Sequence, residues 1–189
     1  MDRLSLKHPL FTHLINEHKK ITFYLNNLHV SDSSIRTQLN WLWEFAEMSH
    51  HRKEEVLLFS TMAEKSRIAE GGPLCTLYFD LHMSDPPTNK CHQLIGVHPA
   101  TEPHQQEIIA KNSPLRIPLD EHRSGKEILK FLISHWSTLE DKKKENLIEQ
   151  YKTLSLQHIN KEESCFFHLC SDLLSLDEAN LILERWQLS

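Results

Sequence analysis

The chain has 189 residues, enough for one domain with a sizeable buried core. A formal net charge of −5 and only four glycines argue against a nucleic-acid surface and against a sheet built on glycine turns. No apolar run approaches the ~18 residues of a membrane span, and no leader segment is recognisable, so we expect no membrane partner. The four cysteines form no close C-x-x-C pair, which favours free thiols and a cytoplasmic protein.

Apolar residues recur at helical spacing in five segments. The pattern predicts helices over 9–29, 34–68, 118–136 and 141–174, and a short one over 177–187. Segment 71–117 differs because it holds six of the eight prolines and three of the four glycines, as a functional or partly ordered insertion often does. We therefore expect a single all-α domain over 1–189. Its core is an up-down-up-down four-helix bundle over 9–68 and 118–174, with the insertion between helices two and three.

Each of the four long helices has a polar interruption in its apolar seam. The interrupting imidazoles are those of His18, His51, His122 and His158. Buried ionisable groups are unfavourable unless they are paired or bind a metal. Glu55 follows His51 by four positions and Glu162 follows His158 by four, about 40° around a helix, so each pair can face one site. The spacing predicts a metal centre built from these six residues.

The sequence leaves the acidic ligands partly open. Glu162 has the better spacing, but an approximate internal repeat aligns Glu163 with Glu55. On helix two, Glu54 is the weaker alternative to Glu55. We place His50 beside the site, at its edge.

Four imidazoles and two carboxylates suit a pair of iron ions, with manganese or zinc as alternatives, because imidazole binds these metals and carboxylates bridge hard cations. Six side chains leave positions for water, an oxo or hydroxo bridge and an external small molecule. Such a site is reactive or ligand-binding rather than closed and structural.

The segments that carry these residues resemble the hemerythrin-like, or HHE cation-binding, domain. They are Asn16-Glu17-His18-Lys19, His50-His51-Arg52-Lys53-Glu54-Glu55, Asp120-Glu121-His122-Arg123 and His158-Ile159-Asn160-Lys161-Glu162-Glu163. The resemblance implies a non-haem di-iron centre in the bundle. We expect this centre to bind oxygen, nitric oxide or peroxide. The resemblance also implies terminal ligands His18, His51, His122 and His158 and bridging ligands Glu55 and Glu162.

Helix three departs from the oxygen-carrying hemerythrins, which have a second histidine four residues after the first. Lys126 occupies that position here, so we expect one iron to lack a nitrogen ligand. The difference disfavours oxygen storage, and similarity to four-histidine relatives favours sensing, iron handling or a stress response. A di-iron peroxidase or ferroxidase, and an interaction module braced by metal, are the alternatives.

Two further expectations concern small or reactive residues near the site. Gly125 follows His122 by three residues and leaves room beside the metal. Cys75, in the insertion, belongs either to a cover over the metal pocket or to a structural flap, and the flap is favoured. The pattern does not distinguish a monomer from a homodimer.

Overall fold

The structure is a computed structural model that describes residues 6, 8–65 and 115–188. The described residues form helices joined by short connections and contain no strand. The helix α1 is Pro9–Asn26. The helix α2 consists of consecutive segments: Ile35–Leu42, Trp43–His50, His51–Lys53, Glu54–Phe59 and Ser60–Ala63. The helix α3 is Arg116–His135, α4 consists of Asp141–Lys161, Glu162–Phe166 and Phe167–Leu173, and α5 is Leu176–Leu188.

The prediction of an all-α protein is confirmed, and every predicted helix has a counterpart. The insertion predicted over 71–117 lies outside the described residues except for 115–117, where Arg116 begins α3. Cys75 also lies outside them. In the part of the chain that the structure describes, no helix combines the length and hydrophobicity needed to cross a bilayer.

Local contacts fix where the helices begin. α1 starts at Pro9, whose restricted φ suits a first helical residue. Before α2, the Asp32 carboxylate accepts hydrogen bonds from the backbone N–H and the hydroxyl of Ser34, at 2.8 and 2.9 Å. α5 has a capping box, in which the Ser175 N–H donates to Glu178 at 2.8 Å and the Glu178 N–H donates to the Ser175 hydroxyl at 3.2 Å.

Two clusters of buried apolar side chains fill the interior. One contains Leu14 and Phe59, and the other contains Leu25 and Leu132. On each of α1 to α4, residues of one cluster precede the site histidine predicted for that helix, and residues of the other follow it. The histidines therefore form a polar layer between two apolar layers.

Apolar residues at steps of three and four predict that Trp41, Phe45 and Met48 of α2 point inwards, but the buried face of this helix is different. These three are only half-buried. One buried series follows intervals of four, and Glu47, His51 and Phe59 are buried beside it; the series is Leu42, Ala46, His50, Glu54, Leu58 and Met62. On a regular α-helix each such step drifts by about 40° and soon leaves the face. Two segments of α2, Trp43–His50 and Glu54–Phe59, are π-helical, and their wider turn offsets the drift.

The two cysteines of α4 lie in the core. Cys170 is free and fully buried, as expected for a small apolar side chain. Cys165 is 6% exposed and disulfide-bonded, which corrects the expectation that it is a free thiol.

Candidate metal centre

Five histidines bring their rings together in the polar layer. They are His18, His50, His51, His122 and His158, and none is more than 7% exposed. Ligand atoms of His51, Glu54, His122 and His158 lie within 4.8 Å of one another, and so do those of His18, His50 and Glu54. The two groups share Glu54, so they form two adjoining positions at which a cation can bind.

The Glu54 carboxylate lies between imidazoles of the two positions. Its Oε1 is 3.5 Å from Nε2 of His50, and its Oε2 is 3.5 Å from Nε2 of His122. The side chain is fully buried, and neither oxygen has a hydrogen-bond partner. A carboxylate with one oxygen directed at each position has the geometry of a bridging ligand.

Glu162, on α4, also lies between imidazoles of the two positions, but a single oxygen approaches both. Its Oε2 lies 3.4 Å from Nε2 of His18 and 3.2 Å from Nε2 of His158. Both of its oxygens are also buried without a hydrogen-bond partner. Buried carboxylate oxygens are normally satisfied, so four unpartnered ones in one place favour a bound cation.

Each of the five rings has a hydrogen bond at Nδ1, on the side away from the centre of the layer, to a glutamate other than Glu54 or Glu162; we call these five the outer carboxylates. Nδ1 of the ring faces Glu163 for His18 (3.0 Å), Glu17 for His50 (2.7 Å), Glu47 for His51 (3.0 Å), Glu55 for His122 (3.0 Å) and Glu121 for His158 (3.1 Å). An ionised carboxylate only accepts, so Nδ1 donates and the Nε2 lone pair is directed inwards. Histidines that bind metals are oriented in this way.

Several of the outer carboxylates are themselves held in place. Tyr151 donates to Glu47 at 2.9 Å, the Trp186 indole donates to Glu17 at 3.2 Å, and Lys161 forms an ion pair with Glu121. Because these partners come from α4 and α5, the packing of the helices sets the orientation of the imidazoles. The rings are preorganised before any cation binds.

Burial and neighbouring charges shift the pKa values of the inner glutamates and histidines in different directions. Burial and the charge of Glu162 raise the pKa of Glu54 well above its ordinary range. Burial acts in the same direction on Glu162, but His158 and His18 outweigh it and hold its pKa well below the ordinary value. Burial lowers the pKa of His50 to about 3. Burial lowers the pKa of His122 too, whereas for His18 and His158 the nearby Glu162 carboxylate outweighs burial and raises the pKa above its ordinary value. The Glu162 carboxylate therefore favours positive charge in this layer, either on these imidazoles or on a bound cation.

The structure brings five of the six predicted ligands into the inner layer: His18, His51, His122, His158 and Glu162. Glu55 lies outside that layer, where it accepts the hydrogen bond of His122 Nδ1, and Glu54 has the inner place. On α4, Glu162 is inside and Glu163 outside.

Sequence reasoning did not assign His50 and Glu54 to the inner layer. The signal was present, because His50 and Glu54 are four residues apart, as are His51 and Glu55. Periodicity of an ideal helix cannot choose between two pairs that differ by one position. The π-helical segments on either side of His51–Lys53 rotate the backbone so that Glu54, and not Glu55, lies inside.

No protein-family model, curated protein or solved structure matches this chain. The likeness to the hemerythrin-like domain therefore rests on the His and Glu pattern, with which the helical fold and the buried cluster are compatible. A metal-binding role rests on the donor chemistry of the cluster itself.

Proposed function

We propose that this protein is a hemerythrin-like di-iron protein that binds oxygen, nitric oxide or peroxide, for sensing, iron handling or a stress response. One observation carries the proposal: five imidazoles, each tied through Nδ1 to an outer carboxylate, surround two buried carboxylates whose oxygens have no hydrogen-bond partner. Two cations would supply the partners that these four carboxylate oxygens lack.

The order of the apolar clusters supports an up-down-up-down bundle. Along α1 and α3, the cluster that contains Phe59 comes before the site histidine, and along α2 and α4 it comes after it. Successive helices then cross the polar layer in opposite directions, as the bundle requires. In this arrangement the residues between α2 and α3 are an insertion into a single domain.

The number of donors supports a pair of ions with room for a ligand. Five imidazole nitrogens and the four buried, unpartnered oxygens of Glu54 and Glu162 make nine donor atoms available in the polar layer. Two octahedral ions together have about twelve coordination positions. Three remain, enough for a single-atom bridge and one small external ligand. Nitrogen and oxygen donors in this ratio suit iron, which also supplies redox chemistry when bound.

Side chains of the protein position the cations and shield them from water. Glu54 and Glu162 span the two positions, so they set the separation at which two cations can be held. The phenyl rings of Phe59 and Phe167 stack on His122 and His18, with centroids 5.5 and 5.4 Å apart. These apolar rings exclude water from one side of the layer, which strengthens electrostatic interactions within it.

Metal analysis combined with a titration of small anions tests the proposal. After anaerobic loading with ferrous iron and oxidation, we expect two iron ions per chain and a ferric absorption that changes with azide. A colourless protein that retains only zinc and does not respond to azide or to iron chelators would contradict it. Sustained turnover of peroxide would support the enzyme alternative instead.

A further inference from the structure

His51 adds an imidazole to the position at which α3 lacks one. Its ring lies parallel to that of His122, with centroids 4.1 Å apart and planes inclined by 8°, and it meets the His158 ring edge-on at 5.3 Å. Lys126, one turn after His122 on α3, is exposed and points away from the cluster. The third nitrogen of this group therefore comes from α2, next to His50.

A single buried carboxylate holds the His51 ring. Nδ1 of His51 lies 3.0 Å from Oε2 of Glu47, which is 3% exposed and one turn earlier on α2. The other oxygen of Glu47 accepts the hydroxyl hydrogen of Tyr151, on α4, at 2.9 Å. Both carboxylate oxygens are thus occupied, and the chain of hydrogen bonds runs from α4 through Glu47 to the ring.

Gly125 of α3 provides the space for the Glu47 carboxylate. A Cβ atom at this position would lie 3.2 Å from Oε1 of Glu47 and 3.6 Å from the Tyr151 ring. The first distance is shorter than ordinary van der Waals contact, and the hydrogen bonds on both sides of the carboxylate prevent it from moving freely. The glycine expected beside the metal is therefore beside the group that orients a ligand.

We propose that Gly125, Glu47 and Tyr151 position His51 as a nitrogen donor to the cation held by His122 and His158. The inference rests on the proposed metal function and deepens it. Because His50, which the sequence did not count as a ligand, joins His18 at the other position, His51 is free to fill the place expected to lack a nitrogen through Lys126. Glu47 and Tyr151 act through His51, so they are positioning residues with no direct contact to the cation.

Proton NMR of the Co²⁺-loaded protein tests this assignment, because a paramagnetic ion shifts the Nδ1–H signals of its ligating imidazoles far from all others. The native protein should show five shifted, exchangeable signals, one for each ring whose Nδ1 is held by a carboxylate. The substitution His51→Gln should remove one of them and so identify it.

Two variants then test the positioning residues. Tyr151→Phe removes only a hydroxyl, and Gly125→Ala adds only a methyl group. Each should accelerate solvent exchange of the His51 signal or broaden it beyond detection, leave the other four signals, and weaken Co²⁺ binding by about 10–100-fold. Lys126→Ala, at the exposed neighbouring position, is the matched control and should leave all five signals unchanged. If Gly125→Ala loses its helical circular dichroism, Tyr151→Phe still tests the inference because it adds no volume.

The possible results distinguish an error in the role of His51 from the absence of a metal site. If Co²⁺ binds but His51→Gln keeps every shifted signal, His51 is not a ligand and the inference is wrong while the metal site stands. If both positioning variants behave like Lys126→Ala, Glu47 and its neighbours do not position the ring. If the native protein binds no Co²⁺, the proposed function itself fails.

Discussion

Nε2 of His122 lies 3.0 Å from Nε2 of His158 in the centre of the polar layer. Nδ1 of each ring is already bonded to a carboxylate, to Glu55 for His122 and to Glu121 for His158. If both rings are neutral, two lone pairs face each other at this distance. A proton or a metal cation between them turns the repulsion into attraction, so this contact should depend on a bound cation.

The stability of the protein should therefore depend on transition metals. A cation that binds only the folded state, at 100 times its Kd, stabilises it by about 2.7 kcal/mol. We expect Fe²⁺ or Co²⁺ to raise the urea midpoint of the metal-free protein by a corresponding amount. Mg²⁺, which prefers oxygen donors, is the control and should have little effect. Equal stabilisation by Mg²⁺, or none by Fe²⁺ and Co²⁺, would contradict a site dominated by imidazoles.

Adjacent glutamates on α2 should differ in their effect on metal content. Glu54 is fully buried between two imidazoles, whereas Glu55 accepts a hydrogen bond on the outer side of His122. Glu54→Gln should lower the number of ions bound per chain in equilibrium dialysis. Glu55→Gln should keep the number and lower the affinity by about 10–100-fold, the usual effect of losing an outer partner. The reverse order of effects would restore Glu55 as the inner ligand.

On α4 the predicted residues lie where ideal helix geometry places them, because α4 stays α-helical through Lys161. His158 and Glu162 are then one turn apart on one face, as ideal geometry requires. On α2 the same rule selects His51 and Glu55, but the π-helical segments turn His50 and Glu54 inwards. Backbone irregularity of this kind depends on tertiary packing, which local periodicity does not contain.

Which outer carboxylate bonds to which histidine could not be predicted from the sequence, for a different reason. Glu17 meets His50 across 33 positions of the chain, and Glu121 meets His158 across 37. No spacing rule connects residues on different helices. A buried layer of His and Glu that could hold a metal ion, in an all-helical fold, could be predicted, whereas the partner of each ring needed the packed structure.

Stability should also decline in acid through the ion pair of Lys65 and Glu178, which lies outside the polar layer. Hydrogen bonds from Lys65 and from the Ser175 backbone lower the pKa of Glu178 to about 2, compared with an ordinary value of 4.5. A carboxyl group with a lowered pKa in the folded state stabilises the fold above its ordinary pKa, and the effect is lost as the pH falls towards 2. Because the pair is solvent-screened, the contribution should be below about 1 kcal/mol.

The difference in unfolding free energy between native protein and Glu178→Gln measures this contribution, and metal-free samples remove the effect of ligand protonation. Glutamine can still complete the capping box with Ser175, so the substitution mainly removes the charge. The difference should be present at pH 6 and vanish near pH 2. A difference that stays constant or grows in acid would contradict the role of the Lys65 ion pair.

Removing one partner of the buried ion pair between Lys161 and Glu121 should be strongly destabilising. Both side chains are almost completely buried, at 1% and 2% exposure, and burial lowers the pKa of Lys161 only to about 8, so its ammonium group stays charged at neutral pH. Lys161→Met leaves the Glu121 charge in the interior and should cost about 3–5 kcal/mol in metal-free urea unfolding. Lys144→Met is the control, because its partner Asp141 is 80% exposed and the loss should stay below about 1 kcal/mol.

The double variant Lys161→Met with Glu121→Gln separates the charge from the packing. Glutamine keeps a carbonyl oxygen that can accept the hydrogen bond of His158 Nδ1, now 3.1 Å from Glu121. With both charges gone, most of the stability lost in Lys161→Met should return. If the double variant is as unstable as the single one, the alkyl chain of Lys161 and its packing matter more than the ion pair. If Lys161→Met alone is no less stable than the native protein, Glu121 has enough other partners to carry its charge.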